Sequence, residues 1–235
     1  SGLICLSHYA WNHLQLFYPK LLKNKEVRII PHGIKKDTQN KKKYRFNERI
    51  KLLYVSTVKQ YKHQWHVVSA VNSLRKKGYP IRLELIGPAY SPALKKLNET
   101  ANRFDPKRDW MKYYSEISFK DLHKNYASAD LGLFASSCEN MPNVLLETMA
   151  SGLPIACSDK GPMPEMLKDS GIYFNPEEPE EIAQAIYKLL SSKSLRSNLS
   201  KQSHELSKKY SWERCADETF IFLNKVKTSF YKKEI

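Results

Sequence analysis

The side chains best suited to chemistry lie between Ser136 and Pro154. This stretch holds two glutamates, Glu139 and Glu147, eight positions apart. Carboxylates accept hydrogen bonds, so the pair suits a ligand that carries hydroxyl groups. The spacing alone has little weight, because the sixteen glutamates of the chain also form a second pair of this kind, at positions 205 and 213.

The surroundings of the first pair are more informative than its spacing. Glu139 directly follows the apolar run Leu131–Ala135, and Glu147 lies one turn into a helix that Pro142 or Asn143 begins. A strand, a loop and a helix N-terminus in this order form the crevice in which parallel α/β sheets bind ligands. The free N–H groups of the helix favour an anion such as a phosphate. Carboxylates repel phosphate, so they should accept hydroxyl groups on either side of it, which predicts a ligand in the order sugar, diphosphate, ribose.

The elements that position these residues repeat along the chain. Short β-rich runs alternate with helical patterns, which predicts an α/β fold with a Rossmann-like parallel sheet flanked by helices. Apolar stripes of helical period extend from Val67 to Leu74, from Leu94 to Phe104, from Phe119 to Tyr126 and from Ile182 to Leu189. The predicted strands are Lys51–Thr57, Ile81–Gly87, Met111–Tyr114, Leu131–Ala135, Pro154–Ser158 and Ile172–Phe174.

The same patterns divide the chain into four parts. Residues 1–34 form a strand–helix–strand unit that cannot bury its faces alone, so it is either an extension packed on the main domain or the remnant of another lobe with its crossover. Residues 35–49 are polar and basic and are interpreted as a linker. Residues 50–210 form the Rossmann-like domain, and residues 211–235 form a last helix, capped by Ser211, with a basic tail.

Charge and composition exclude several classes of protein. The chain has 39 Lys and Arg against 24 Asp and Glu, a net charge of +15. This excess indicates attraction to anionic phosphates, those of a small molecule or of a membrane surface, or it only keeps the protein in solution. Nucleic acid is not favoured, because no recognition helix or zinc finger pattern is present. The longest uncharged stretch, Thr148–Ser158, is too short to cross a bilayer. The four scattered cysteines predict reduced thiols and a cytoplasmic protein.

With these residues in view, the chain resembles the retaining family 4 glycosyltransferases of the GT-B fold. Glu139 and Glu147, followed by Thr-Met-Ala-Ser-Gly-Leu-Pro, resemble the E-x7-E signature of that family. Pro31–Ile34 resembles its domain crossover, Tyr54–Val58 its first strand and phosphate loop, and Tyr210–Trp212 the start of its terminal helix. The resemblance covers the chain from about residue 30 to residue 212 and identifies it as the C-terminal, donor-binding lobe.

The resemblance implies roles for particular residues. Glu139 becomes the catalytic residue, which contacts the transferred sugar, while Glu147 binds the ribose and Lys62 neutralises the departing diphosphate, so no metal is expected. Thr57 stands where the family usually has an arginine, and Lys59 or His63 is the expected substitute. The remaining donor-binding residues are Gly87, Asn140, Met141, Pro142, Asn143 and Val144, with Tyr113 and Tyr114 beside the base.

The implied activity is transfer of a hexose from a nucleoside-diphosphate-sugar, the co-substrate, to a glycan or lipid-linked acceptor, with no further cofactor. The expected setting is bacterial polysaccharide or lipopolysaccharide biosynthesis in the cytoplasm, with peripheral contact at the inner face of the membrane. The acceptor site would lie in the missing N-terminal lobe, so the isolated lobe should be inactive. Two alternatives stay open: another GT-B enzyme such as a nucleotide-sugar epimerase, and a non-enzymatic basic binding module.

Overall fold

The first unit of the chain is a strand–helix–strand unit, as the sequence predicts. The computed structural model describes residues 1–34 and 49–231, apart from the side chains of residues 119, 230 and 231. Strands β1 (Gly2–Cys5) and β2 (Glu26–Ile29) pair in parallel, and helices α1 (His8–Phe17) and α2 (Pro19–Leu22) connect them. Most of the predicted linker and the end of the predicted tail lie outside the described residues, and the four-part division stays a prediction.

The main sheet contains all of the predicted strands of the larger domain. The described residues form six parallel strands in the order β5-β4-β3-β6-β7-β8. The order reverses between β3 and β6, and a Rossmann-like sheet binds its ligand at such a switch point. The α/β fold with a parallel sheet is therefore confirmed. The strands are β3 (Ile50–Val55), β4 (Ile81–Ile86), β5 (Met111–Tyr114), β6 (Leu131–Phe134), β7 (Ile155–Ser158) and β8 (Ile172–Phe174).

Helices cover the faces of this sheet. Their apolar stripes meet the strands in one large cluster, in which Leu52, Val67, Leu85, Leu131 and Ile186 are almost fully buried. Since the strands of a parallel sheet are covered on both sides, most of their residues are apolar. The helices are α3 (Gln64–Lys76), α4 (Ser91–Phe104), α5 (Phe119–Ser128), α6 (Asn143–Ala150), α7 (Met163–Leu167), α8 (Pro179–Ser191), α9 (Lys193–Ser207) and α10 (Trp212–Tyr231).

Helix α9 is an element that the sequence analysis did not predict. It packs on α6 through small polar residues, and Ser200 Oγ donates to the carbonyl of Gly152 at 2.6 Å. His204 Nδ1 lies 2.9 Å from the carbonyl oxygen of Ala150. A helix leaves its last carbonyls without an internal partner. Helix α9 therefore binds the C-terminal end of the helix that carries Glu147.

The last helix returns to the first unit. Ser211 caps α10, as predicted, by accepting the N–H of Arg214 at 3.1 Å. Further along α10, Lys225 pairs with Glu26 of β2 at 2.9 Å, and Phe222 lies against Gly2 of β1. In the part of the chain that is described, no helix is long and apolar enough to span a bilayer.

The backbone of the crossover lies directly against the start of α10. Ile34 N donates to the carbonyl of Tyr210 at 3.2 Å, and Ile34 forms a parallel bridge with Ser211. A Cβ atom on Gly33 would lie 2.0 Å from the backbone nitrogen of Trp212, a distance that no side chain tolerates. The Pro-His-Gly-Ile sequence therefore needs its glycine for close approach of two backbones.

Candidate functional site

Two loops meet at the switch point of the sheet. The loop after β3, residues 56–63, and the loop after β6, residues 135–142, leave neighbouring parallel strands at the same edge. The carbonyl of Tyr61 accepts the N–H of Ser137 at 2.8 Å and also faces the hydroxyl of Ser136 at 3.3 Å. These bonds fix the loops to each other, so the residues that they carry have a defined spacing.

Lys62 lies at the junction of these loops and is largely buried. Its carbonyl accepts the hydroxyl of Tyr54 at 2.9 Å, which anchors the backbone to the core. Its ammonium group lies 5.4 Å from the ring centre of Tyr61 and 5.2 Å from that of Phe134. Aromatic faces attract cations, so the charge is held in one place. Lys62 is therefore a buried and oriented cation and not a solvated surface lysine.

Glu139 pairs directly with Lys62. Nζ of Lys62 donates to Oε1 of Glu139, and the two side chains are only 11% and 15% exposed. The sequence analysis assigned the two residues to different parts of a ligand and did not predict their contact. The structure thus brings together the cation and the first glutamate of the signature, which are 77 positions apart in the chain.

The N-terminus of α6 opens beside this ion pair. Pro142 occupies the N-cap position, and among the described residues no side chain caps the helix and its first turn contains no acidic residue. Asn140 and Asn143 are exposed, Val144 is half-buried, and Met141 and Pro142 are buried. The free N–H groups of a helix start favour an anion. The predicted 140–144 segment therefore offers backbone donors directly after Glu139, the partner of Lys62, in the chain.

Glu147 lies one turn further along α6 and is partly buried. The hydroxyl of Tyr126, a buried side chain of α5, donates to its Oε2 at 3.2 Å. Burial raises the pKa of the Glu147 carboxyl, while the bond from Tyr126 and the charge of His123 oppose the rise. Its other carboxylate oxygen accepts no hydrogen bond from the described residues, so it is available to a hydroxyl group of a ligand.

Gly87 and Thr57 hold the backbone close together at the end of β4. Gly87 has a φ of +142°, and a Cβ atom there would lie 2.5 Å from the carbonyl oxygen of Ser56. The carbonyl of Thr57 accepts a bond from Gln64 Nε2 at 3.0 Å. This glycine is therefore required by packing, and Thr57 is placed at the rim of the switch point without a charge of its own.

His63 does not supply the positive charge that Thr57 lacks. It is buried, and its Nε2 lies 2.9 Å from the hydroxyl of Ser137. Burial lowers the pKa of the imidazole, and the neighbouring His66 lowers it further. The expectation that His63 substitutes for an arginine is wrong, because a buried imidazole with a lowered pKa is neutral near pH 7. Lys59 is exposed, with its ammonium group 5.8 Å from the ring centre of Tyr61.

Tyr113 and Tyr114 end β5 at the same edge of the sheet. The hydroxyl of Tyr113 donates to the carbonyl of Gly87 at 2.9 Å, and its ring is half-buried against the main core. Tyr114 packs against a smaller cluster that includes Leu53 and Ile86. Both rings therefore have structural roles, and the role predicted for them beside a base stays a prediction.

Two further contacts reach the site from the first unit, and the sequence analysis did not predict them. His32 Nδ1 lies 3.1 Å from Oδ1 of Asn143, while the His32 ring stacks on Trp212 with 5.7 Å between centres. Ser7 Oγ donates to the carbonyl of Asn140 at 3.0 Å. The sequence analysis gave the crossover no residue of the site, but its histidine contacts the first residue of α6. No local pattern could indicate these contacts, because they join residues more than 100 positions apart.

Comparisons with known proteins identify the family of the chain. The family described as "Glycosyl transferases group 1" matches residues 35–206. The O-antigen chain mannosyltransferase B of Escherichia coli is 29% identical over 110 residues, which are 47% of this chain and 29% of that protein. These 110 residues are less than half of the chain, so the family assignment depends on the longer match.

Solved structures show the same fold at low sequence identity. The sucrose-phosphate synthase of Thermosynechococcus elongatus superimposes with a TM-score of 0.84 at 18% identity, over 97% of this chain and 59% of that one. Anabaena Alr3699/HepE, solved in complex with UDP and glucose, gives 0.79 at 16% identity, over 96% of this chain and 63% of that one. The chain thus spans somewhat more than half the length of these two proteins. Since the family match covers most of its length, this chain belongs to the group 1 glycosyl transferases and has their GT-B fold.

Proposed function

We propose that this chain is the donor-binding lobe of a retaining glycosyltransferase of family 4. The intact enzyme transfers a sugar from a nucleoside-diphosphate-sugar to a glycan or lipid-linked acceptor. The observation that carries the proposal is the meeting of Lys62, Glu139 and the uncapped N-terminus of α6 at the switch point of the sheet. A cation and free N–H groups suit a diphosphate, and the two glutamates suit hydroxyl groups on either side of it.

In this proposal each group acts on a different part of the donor. Lys62 and the N–H groups of α6 stabilise the negative charge that develops on the departing diphosphate. Glu139 accepts hydroxyl groups of the sugar, and Glu147 accepts those of the ribose. The backbone around Gly87 and Thr57 lines the crevice, with Tyr113 and Tyr114 on the side of the base.

The acceptor belongs to a part of the protein that this chain does not contain. The chain matches 59% and 63% of the two solved structures named above, which supports a further lobe in the whole enzyme. The E. coli relative is an O-antigen chain mannosyltransferase by name, which supports a polysaccharide acceptor. Holding the acceptor against the anomeric carbon supplies a large part of the rate enhancement. We therefore propose that the chain alone binds donor without transferring sugar.

Thermal-shift screening tests the donor site. The chain is heated with UDP, GDP and ADP and with their glucose and mannose conjugates, in EDTA and in Mg²⁺. A ligand of the native state raises the melting temperature, and we expect a rise with one nucleotide in both buffers. Binding that EDTA abolishes and Mg²⁺ restores would contradict the role of Lys62. Steep salt dependence toward any polyanion, without nucleotide preference, would favour the basic binding module instead.

A matched pair of glutamate variants then tests the site. Glu147→Gln should weaken nucleoside diphosphate binding by about 1–3 kcal/mol, because a ribose hydroxyl group loses its charged acceptor. Glu213→Gln changes an exposed glutamate of the second pair with this spacing and should leave the affinity unchanged. Equal effects of the two substitutions would show that the spacing is accidental.

A further inference from the structure

The ion pair between Lys62 and Glu139 occupies both of the groups that the donor needs. Nζ of Lys62 donates to Oε1 of Glu139, and both side chains are mostly shielded from water. In the proposed function, on which this inference rests, Lys62 binds the diphosphate and Glu139 binds the sugar. The donor therefore has to replace the ion pair with its own contacts to each partner.

The surroundings of Lys62 leave its ammonium group little freedom to bind Glu139 and a diphosphate at the same time. Its backbone N–H donates to the carbonyl of Lys59 at 3.1 Å and its carbonyl accepts Tyr54, so the residue is fixed at both ends. The rings of Tyr61 and Phe134 flank the charge. An ammonium group that bonds a diphosphate in this position shares its charge with that anion and weakens its bond to Glu139.

The consequence differs between a nucleotide sugar and a free nucleoside diphosphate. When the sugar is present, its hydroxyl groups donate to Glu139 and replace the bond from Lys62. When only the diphosphate is bound, a mostly buried carboxylate loses its counter-ion and lies beside a second anion. A buried charge left without a partner is strongly unfavourable.

We propose that the Lys62–Glu139 ion pair couples the sugar and diphosphate subsites, so that the site favours the intact donor and rejects the nucleoside diphosphate product. After transfer the sugar hydroxyl groups leave Glu139. The carboxylate then regains Lys62 as its partner, and this competition promotes release of the diphosphate. Glu139 thus acts on product release as well as on the sugar.

The coupling predicts an unusual gain of affinity on removal of a site residue. Glu139→Gln removes the competing charge, so we expect it to bind the free nucleoside diphosphate about tenfold more tightly than the wild type, within the usual range of coupling between sites. The matching nucleotide sugar should gain less, because the amide accepts its hydroxyl groups more weakly. The preference for donor over product should therefore fall by a similar factor.

Calorimetric titrations measure these affinities on the full chain. The probes are UDP, GDP and ADP and their glucose and mannose conjugates, with the pair that binds best carried through all variants. Glu84→Gln serves as the matched control, because Glu84 also pairs with a lysine, Lys51, at 2.6 Å but lies within β4. It should leave the affinity unchanged. In the double variant Lys62→Met with Glu139→Gln, the affinity for the diphosphate should be close to that of Lys62→Met alone. The gain that Glu139→Gln gives in the presence of Lys62 should be largely lost.

The possible results separate this inference from the proposed function. A tighter diphosphate and a smaller preference for the donor in Glu139→Gln support the coupling. Diphosphate binding by Glu139→Gln that is equal to or weaker than wild type overturns the coupling and leaves the donor site in place. No binding of any nucleotide by the wild type overturns the donor site, and the coupling with it. If the amide variant does not fold by circular dichroism, Glu139→Ala is titrated with the same criteria.

Discussion

The carboxylate of Glu165 binds the first turn of α1, with 2.8 Å between its Oε1 and the backbone nitrogen of His8. Its second oxygen accepts the N–H of Tyr9 at 2.9 Å. Glu165 belongs to α7 of the sheet domain, and α1 belongs to the first unit. Glu165 therefore lies in the first turn of its own helix and also caps the N-terminus of a different helix, 157 positions away.

Removal of this cap should destabilise the fold. Glu165→Ala leaves two N–H groups of α1 without their charged acceptor, so we expect a loss of about 1–2 kcal/mol in the free energy of unfolding. Urea titration measures the loss, and hydrogen exchange should show faster opening at His8 and Tyr9. The control is Glu99→Ala, which changes an exposed glutamate on α4. If both variants have the same stability, the cap does not contribute.

Two glycines separate the effect of crowding from that of backbone conformation. Gly33→Ala places a Cβ atom against the backbone of Trp212, so we expect it to cost about 3 kcal/mol or more. Gly78 has a φ of +91° and open space around it, so Gly78→Ala should cost only about 1–2 kcal/mol, through strain. Denaturant titrations of the two variants should rank them in this order. The reverse order would show that the crossover yields to the added methyl group.

The affinity for a nucleoside diphosphate should fall in mild acid through Glu147. Burial raises the pKa of this carboxyl. In the proposed donor site, ribose hydroxyl groups bind its ionised form. As the pH falls through the raised pKa, the carboxylate is protonated and the ribose loses its acceptor. Tyr126→Phe removes a bond that holds the pKa down, so the decline should begin at higher pH. Titrations between about pH 7.5 and about pH 5 measure it.

The diphosphate itself titrates in the same way with wild type and with Glu147→Gln. The difference between the two pH profiles therefore reports the Glu147 carboxyl, which only the wild type retains. The folding stability of the chain without nucleotide should have the opposite pH dependence. A carboxyl whose pKa is raised on folding contributes stability below its unfolded pKa, and that contribution is lost as the pH rises through the folded pKa. An identical pH profile of affinity in wild type and Glu147→Gln would contradict the ribose contact.

The two lysines of the loop after β3, Lys59 and Lys62, should differ sharply in their contribution to nucleoside diphosphate binding. Lys62→Met removes a buried, oriented ammonium group, so nucleoside diphosphate binding should weaken by about 2 kcal/mol or more. Lys59 is exposed, and its charge is screened by water and salt, so Lys59→Met should cost less than about 1 kcal/mol. Calorimetry on both variants decides the point. A comparable loss in Lys59→Met would identify this residue as the second cation that Thr57 does not provide.

The strands and most helices could be predicted because their signals are local. Six apolar runs and the stripes between them reflect burial by adjacent elements, and the structure confirms each strand to within two residues. Helix α9 escaped prediction because serines occupy its buried face, where Ser200 and Ser203 pack closely on α6. Serine has a modest helix propensity and does not mark a core-facing stripe.

The candidate site could be predicted only in part, for a related reason. Glu139 and Glu147 were found because strand, loop and helix follow each other in the chain. The pairing of Lys62 with Glu139 depends on the switch of strand order that places β3 beside β6. The contact of His32 with Asn143 depends on where the crossover lies in space. Local sequence patterns contain neither kind of information.

The bridge between Ile34 and Ser211 means that the first unit is joined to the sheet domain by two backbone segments side by side. A single segment swivels freely about its own dihedral angles, whereas a double one resists torsion and yields mainly by bending. Gly33 allows the two segments to lie in direct contact, so any bending axis passes through this point. His32 is next to the axis and touches Asn143. A movement of the first unit about these two segments would therefore act first on Asn143, the residue at which α6 begins.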